Sequence, residues 1–403
     1  MGFNSALSGI QAASADLGII GNNVANAATT GFKESRAEFG DVYASLLGAS
    51  DTTIGSGVKL QRAAQQFTQG NITFTNNSLD LALSGSGFFQ LDDGGSTVYT
   101  RAGNFSLDSS GFIVNNDGLR LLARAADSNG AITGAVGPLQ LQTSNVSPQA
   151  TQSVSATLNF DSRSTATDAS WSMATGVPDV DGYNDTTSTT IYDSLGNDHT
   201  ISMYFSKTAA NNTWNVRTLV DGNLEDTTTV TFNADGSYNT PANIAFTFNP
   251  GGGATAAQPI TVDLSASTQF GANFATSAIS QDGFTSGQLL GVDIDSSGII
   301  FARFSNGQST TNGQIMLANF ANTQGLQPLG DTSWAETFSS GAPVVSEPGT
   351  AGLGLIQSNS LEESNVDLTG QLVRMIIAQR NFQASAQTIQ AEDDVTQTII
   401  NLR

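Results

Sequence analysis

The stretch GFNSALSGIQAASADLGIIGNNVANAATTGFK, residues 2–33, decides how the rest of the chain is read. Within it Phe3, Leu7, Ile10, Ser14, Leu17, Gly21 and Val24 recur at alternating spacings of 4 and 3 residues. At 3.6 residues per turn, side chains three and four apart share one face, so the row is the stripe of a helix. Ile20 backs the row, and Ser14 and Gly21 weaken it. It ends at Asn22, Asn23 and Asn26, whose side chains bond local backbone groups, and Gly31 permits a positive-φ turn that redirects the chain.

The other end carries a second stripe. Leu368, Leu372, Met375, Gln379, Phe382, Ala386, Ile389, Asp393, Thr396 and Ile400 alternate by 4 and 3 again, with Asp367 or Asn365 placed to cap the start. The expectation is a pair of terminal helices packed along one seam as a coiled-coil-like inner domain. One narrow row offers little apolar surface against the entropy of fixing each helix. Ile19, Ile20, Val373, Ile376, Ile377 and Ile399 lie off the row and stay uncovered in a simple pair. Their shelter is therefore expected from neighbouring subunits, with both ends disordered until assembly supplies it. The expected assembly interface is Phe3, Leu7, Ile10, Leu17, Ile20 and Val24 at one end, and Leu368, Leu372, Met375, Phe382, Ile389 and Ile400 at the other.

Length and composition set the outer bounds. At roughly 150 residues per domain, 403 residues predict about three domains. The 35 acidic against 14 basic residues leave a formal charge of −21, which repels nucleic acid and anionic membrane surfaces. There is no cysteine and a single histidine, His199, so disulfides, thiolate nucleophiles and multi-histidine metal sites are excluded. No run approaches the roughly 18–20 apolar residues of a membrane span, so no membrane insertion is expected. The first 15 residues carry no charged side chain; a cleaved leader would lack its basic start, and none is expected.

Between the ends the pattern is short alternating strands separated by Gly, Asn and Asp turns, with no long amphipathic helix after about residue 50. Strands are predicted over Gly87–Leu91, Asn104–Leu107, Ser153–Phe160, His199–Lys207, Trp214–Val220, Thr227–Phe232, Ile244–Phe248 and Ile299–Phe304, mainly antiparallel. The fold class is thus mainly β and multidomain, with α-helical termini and discontinuous domains. Turn-rich stretches near Pro148 and from Gln281 to Gly287 mark boundaries. The expected division is a helical inner domain of 1–25 with 366–403, a connector of 26–70 with 359–365, a middle β domain of 71–145 with 285–358, and an outer β domain of 146–284. Residues 146–284 hold 13 acids and 3 bases, a net −10, whereas residues 1–70 net only −1. A neutral, self-associating end and an acidic centre suit a polymer whose centre faces solvent.

Chemistry-bearing constellations are scarce. The adjacent acids Asp92-Asp93, Glu362-Glu363 and Asp393-Asp394 point to opposite faces of a strand or diverge by about 100° on a helix, and read as solvated surface. Asp179-Val-Asp181-Gly182 opens like a calcium loop, but Tyr183 and Thr190 stand where ligands belong. Gly85-Ser-Gly87-Phe-Phe-Gln90 lacks the third glycine of a dinucleotide fingerprint. His199 has no partner histidine and reads as structural. Arg374 and Arg380 read as solvated, or as partners for acids of a neighbour. No catalytic, cofactor-binding or metal-ligating residue is assigned, no cofactor is expected, and the chain is read as no enzyme.

Asn22-Asn23-Val-Ala-Asn26-Ala-Ala-Thr29-Thr-Gly31-Phe32-Lys33 resembles the N-terminal signature of the bacterial flagellar rod and hook axial protein family. A second match stands at the other end, in Leu361-Glu-Glu-Ser364-Asn365-Val366-Asp367 followed by Gln379-Arg380-Asn-Phe382-Gln-Ala384. Others lie inside: Leu79-Asp80-Leu-Ala-Leu-Ser-Gly85-Ser-Gly87-Phe88-Phe89, Tyr99-Thr-Arg101-Ala-Gly103-Asn-Phe105 and Asn306-Gly307-Gln308. The central Ile191-Tyr-Asp193-Ser-Leu195-Gly196-Asn-Asp-His199-Thr is similar to the hook members of that family, and the signature residues carried over are Asn22, Asn23, Asn26, Gly31, Phe32, Lys33, Ser364, Asn365, Val366 and Asp367. The resemblance implies a structural subunit that self-assembles into a flexible tubular universal joint, transmitting torque from motor and rod to filament. It implies the flagellar hook at the cell surface as the location, reached without a cleaved signal peptide. The implied partners are other copies of the chain, a distal rod protein, a hook cap protein, a hook-filament junction protein and the flagellar type III export apparatus. The rival expectations are another axial protein, of the distal rod or the hook-filament junction, and a secreted β-rich carbohydrate-binding or hydrolytic protein.

Overall fold

A computed structural model describes residues 2–42, 55, 57–127, 130–141, 144–173 and 177–401. The chain divides into two compact units, one of residues 1–143, 291–303 and 309–403, the other of residues 144–290 with 304–308.

In the first unit the two terminal stripes are helices, α1 (Gly2–Ala25) and α2 (Leu368–Asn401). α1 ends where the asparagines begin: the Asn26 side chain donates to Asn22 O at 2.9 Å, and the Thr29 hydroxyl donates to Asn26 Oδ1 at 3.1 Å. α2 begins at Asp367, whose Oδ1 accepts the Thr369 N–H at 3.0 Å, the geometry of an N-cap. The helices pack antiparallel, since Gly9 lies against Ser385 while Asn23 reaches Gln371.

Their seam is not the row of large side chains. The buried residues of α1 are Ala6, Ala13, Ile20 and Asn23, and those of α2 are Gln371 and Ala378. With Gly9 this gives spacings of 3, 4, 7 and 3, a heptad set displaced by one residue from the expected stripe. The correction has a steric cause. Ala and Gly let two backbones approach closely: a Cβ on Gly9 would stand 2.8 Å from Ser385 Oγ, and Leu or Phe at such positions would hold the helices apart. Of the expected interface only Ile20 is buried. Ile10, Leu17, Val24, Met375 and Ile389 are half-buried, and Phe3, Leu7, Leu368, Leu372, Phe382 and Ile400 are exposed. Ile19 is half-buried, Val373, Ile376 and Ile377 are exposed, and the Ile399 side chain lies outside the described residues. Arg374 faces the chain's own Asp16: burial raises that carboxyl above its ordinary range, and the guanidinium charge offsets part of the rise.

The rest of this unit is β. A hairpin of Ser35–Asp41 with Val58–Gln65 leans on α1, where Ser8 Oγ accepts the Val58 N–H at 3.2 Å. A larger sheet runs in the order Leu289–Ile294, Ile299–Phe304, Ser309–Ile315, Arg120–Ala126, Phe88–Asp93, Ser96–Thr100, Ser333–Ala335, Gln327–Gly330. Leu81, Leu83, Phe89, Leu91, Ile113, Leu121, Ile300 and Ile315 fill its core. A separate aromatic cluster joins Phe88, Tyr99, Phe320 and Trp334, with Tyr99 and Phe320 edge to face at 4.8 Å. Two short strands at the C-terminal side, Leu355–Ser358 and Ser360–Glu362, pair with Leu81–Ser84 and Ile72–Phe74.

The second unit is a sandwich of two five-stranded sheets. One is an antiparallel meander of Asp185–Tyr192, Asp198–Lys207, Thr213–Val220, Asn223–Phe232 and Tyr238–Thr240. Its third connection is Asp221-Gly222, both at positive φ (48° and 82°), a two-residue turn whose twist matches the strands it joins. The other sheet is built around Ser153–Asp161, which pairs antiparallel with Ala275–Gln281 but parallel with Gln258–Asp263 and Thr268–Phe270. Those two parallel pairings stand among a majority of antiparallel ones, as a mainly antiparallel expectation allows. They need long return connections, which leave no signal in local alternation. Alternating side chains of both sheets, among them Val154, Phe160, Phe205, Trp214 and Ile260, close one core.

His199 lies in the second strand of the meander. Its Nδ1 stands 2.6 Å from Asp221 Oδ2 and its Nε2 3.6 Å from Asp193 Oδ2. Asp193 in turn accepts the N–H groups of Leu195 at 2.8 Å and Asn197 at 2.9 Å, which shapes the turn the family motif encodes. Burial opposes a charge on His199, but bonds and charge from Asp221 and then Asp193 outweigh it and raise the imidazole above its ordinary 6.5. A raised folded value makes the cation more favourable folded than unfolded, so this stabilisation is complete below about 6.5 and fades as pH climbs through the folded value. Thermal melts of the full chain are expected to show the transition of this sandwich falling between pH 6 and pH 9. His199→Gln is expected to flatten that dependence; an unchanged slope in the variant contradicts it.

Candidate functional site

The family signature at each end of the chain converges on one buried carboxylate in the first unit. Ser360–Glu362 is a strand, so alternate residues face inward, and Ser360 and Glu362 are both wholly buried. Glu362 Oε1 accepts from Lys33 Nζ at 2.6 Å and from the Gly70 N–H at 2.9 Å, and Oε2 accepts from Arg101 Nη1 at 3.3 Å. Its backbone oxygen accepts the Gly31 N–H at 2.8 Å. Gly31 is at φ +70°, and a Cβ there would stand 2.5 Å from the backbone nitrogen of Ala102, so only glycine fits. Lys33 Nζ also donates to Thr68 O at 2.8 Å.

A second layer of amides surrounds this cluster. Asn365 Oδ1 accepts the Glu34 N–H at 2.7 Å, while its Nδ2 donates to Gln66 O at 2.8 Å and Thr68 Oγ1 at 2.9 Å. Asn23 pairs with the backbone of Ser35 in both directions, accepting at 2.9 Å and donating at 2.7 Å, as a strand partner would. Gln371 of α2 donates to Glu34 Oε2 at 2.9 Å and accepts from Asn23 at 3.4 Å. The structure therefore brings together Asn23, Gly31, Lys33 and Asn365. Asn26 and Asp367 instead shape the helix ends, and Ser364 Oγ accepts the Val366 N–H at 3.3 Å between them. Asn22 is exposed, and Phe32 and Val366 are half-buried.

Three members of the cluster escaped the sequence reading: Glu362, Arg101 and Gln371. The Glu362-Glu363 pair, expected to be solvated, is split by strand alternation. Glu363 is exposed, whereas the Glu362 side chain has no accessible surface. The available signal was the inward parity of Glu362 beside lysine and arginine in the matching motifs, in a chain with three lysines. Burial lowers the Lys33 ammonium below its ordinary range, and the charge and hydrogen bond of Glu362 partly restore it. Arg101 is lowered by burial and held up by the same carboxylate. Such a cluster is an expensive way to obtain stability but a selective one, because each charge is tolerated only with its partners in place. Its chemistry is that of a clasp: it fastens residues 31–33, 68–70 and 101 to residues 362–365 and so fixes where both terminal helices leave the β framework.

Beside the clasp lies a cavity of about 590 Å³, lined by Asn22, Asn26, Phe32, Lys33, Trp334 and the turn at Asp331 and Thr332, among others.

Comparison with known proteins gives matches along nearly the whole chain. The flagella basal body rod protein model matches residues 3–33, and the flagellar hook protein FlgE/F/G D1 domain model residues 82–156. The flagellar basal body protein FlaE D2 domain model matches residues 159–284, and the C-terminal model of flagellar basal body rod FlgEFG proteins residues 357–402. The flagellar hook proteins FlgE of Escherichia coli and Salmonella typhimurium are each 38% identical to the chain, with 100% of both chains covered. That of Treponema pallidum is 32% identical over 99% of this chain and 98% of its own. The crystal structure of Helicobacter pylori flagellar hook protein FlgE2 superposes with a TM-score of 0.53, covering 72% of this chain and 100% of that one at 15% identity, which speaks to the fold.

Removing one member of a buried ion cluster leaves its partners charged and dry, at a cost of about 3–5 kcal/mol. Glu362→Gln is expected to lower the melting temperature of the first unit accordingly. Pairing it with Lys33→Met is expected to cost less than the sum of the two single changes, in a double-mutant cycle read by denaturant unfolding. Additive losses contradict the clasp.

Proposed function

The chain belongs to the flagellar hook protein FlgE family, and from that premise we infer that it is a structural subunit of the bacterial flagellar hook, a tubular polymer that couples rod to filament as a flexible joint. One observation about this molecule supports the reading above others. Leu368, Leu372, Val373, Ile376 and Ile377 crowd ten residues of α2, and each is about half exposed. Phe3 and Leu7 are exposed in the same way on α1. A patch of this size on water marks a protein contact, and a seam of Ala, Gly and one Ile is weak support for helices of 24 and 34 residues. Neighbouring copies supply the missing cover.

Under this reading the helices of residues 1–25 and 366–403 form an inner layer, with residues 26–70 and 359–365 as connector. The β regions 71–145 with 285–358 and 146–284 form a middle and an outer layer. The partners are further copies along the tube, the distal rod protein at one end, the hook cap protein during growth, and the hook-filament junction protein at the other end. The type III export apparatus delivers the chain to the cell surface.

Each fully covered Leu or Ile contributes about 1.5–3 kcal/mol, so Leu372→Ser with Ile376→Ser is expected to raise the monomer concentration at equilibrium with polymer by about a hundredfold. Both side chains are about half covered in the single chain, so its melting temperature is expected to fall only slightly beside the loss of polymer. Sedimentation and electron microscopy read the outcome; wild-type polymer yield from the double variant contradicts the assignment.

A further inference from the structure

We propose that Phe338 is the knob of a head-to-tail contact, inserting into the cavity beside Trp334 and Phe32 on the next copy of the chain. The proposal rests on the hook-subunit reading and names a contact in the β framework that the terminal helices do not provide.

Phe338 has a relative exposure of 105%, with its ring standing wholly in water. The loop that carries it is not loose. The Thr337 N–H donates to Ser340 Oγ at 2.9 Å, and Ser340 Oγ donates back to Thr337 O at 2.8 Å. Thr337 Oγ1 donates to Gly325 O at 2.6 Å, and Asn322 Nδ2 donates to Ser339 O at 2.9 Å. Ser340 is fully buried, and a Cβ on Gly325 would stand 2.5 Å from the backbone of Ser339 and Ser340. The loop is thus seated on the turn beneath it and presents the ring outward at fixed height. A ring carried on a loop whose backbone is already ordered loses less entropy when it docks, and aromatic anchors of this kind carry most of the energy of the interfaces they enter.

The cavity is a receptacle of matching character. Phe32, Ala102, Pro328 and the largely buried Trp334 line it with apolar groups, and Asn and Thr side chains together with Asp117 and Asp331 supply its polar lining, which favours an uncharged, apolar occupant over an acidic one. One wall is a hairpin turn: Asp331 and Thr332, at φ 46° and 54°, join Gln327–Gly330 to Ser333–Ala335 with the backbone twist a two-residue turn requires. Thr100 Oγ1 holds that turn by donating to Thr332 O at 2.9 Å.

Charge selects the occupant. Copies of a chain with net charge −21 repel one another, so a contact between them is best made by uncharged groups. Residues 337–341, Thr-Phe-Ser-Ser-Gly, carry no charge. Knob and cavity are formed by different residues, so in the polymer of the hook-subunit reading each copy can give its knob to one neighbour and its cavity to another, which is the head-to-tail arrangement that propagates as a helix.

The absence of cysteine makes the test clean, because two introduced thiols report only their own meeting. Phe338→Cys combined with Asn116→Cys, at the exposed cavity rim, is expected to give a ladder of disulfide-linked oligomers when polymers are oxidised, and none from dilute monomer. Phe338→Ala is expected to raise the residual monomer concentration by at least about tenfold with an unchanged melting curve, while Phe338→Trp keeps it near wild type. Normal polymers from Phe338→Ala, or thiols that yield only closed dimers, overturn the contact and leave the hook assignment standing. Failure of the unsubstituted chain to polymerise overturns that assignment and the contact with it.

Discussion

A carboxylate taken out of water has to be met by donors, and the architecture of the first unit follows from how Glu362 is met. Lys33, Arg101 and the Gly70 N–H come from three separate parts of the chain and converge on two oxygens. Because no member is tolerated alone, the segments just inside the two ends are fastened to the β framework and to each other. α1 and α2 then emerge side by side, and Asn23 and Gln371 meet at the root of the pair. The small-residue seam follows, since helices anchored this closely must interleave Ala and Gly. The large apolar rows are left turned away from it.

That division of labour explains how one chain can be stable and also sticky. The two β cores are closed by alternating side chains, and no residue of either helix belongs to them. The helices carry a row of exposed Leu, Ile, Val and Phe side chains, and on the proposed hook reading their cover comes from assembly. Charge follows the same plan: residues 1–70 are nearly neutral, whereas residues 146–284 hold about half of the net negative charge.

Much of this was legible in the sequence, because strand and helix periods are local. Ser153–Asp161 buries every second residue and Ile244–Phe248 alternates without a break, so both could be read directly. Both terminal helices were equally plain, and of the two caps the sequence allows for α2, Asp367 and Asn365, the structure uses Asp367. The helix seam was misplaced by one residue, because periodicity finds the largest side chains and cannot tell whether they face a helix of the same chain or a neighbour. Glu362 was read as solvated, because its donors lie 261 to 329 residues away in sequence and nothing local shows them. Phe338 gave no signal at all: a lone Phe between Thr and Ser looks the same whether its ring is buried or bare.

The central claim is that the clasp is complete in the single chain while the apolar helix faces wait for neighbours. Hydrogen exchange on dilute full-length monomer and on polymer tests it most directly. The account predicts that the Gly31 and Gly70 amides exchange as slowly as the β core in both states, while amides from Met375 to Ile389 exchange quickly in monomer and become protected in polymer. Fast exchange at Gly31 and Gly70 in monomer, or equal protection of that stretch of α2 before and after assembly, would contradict it.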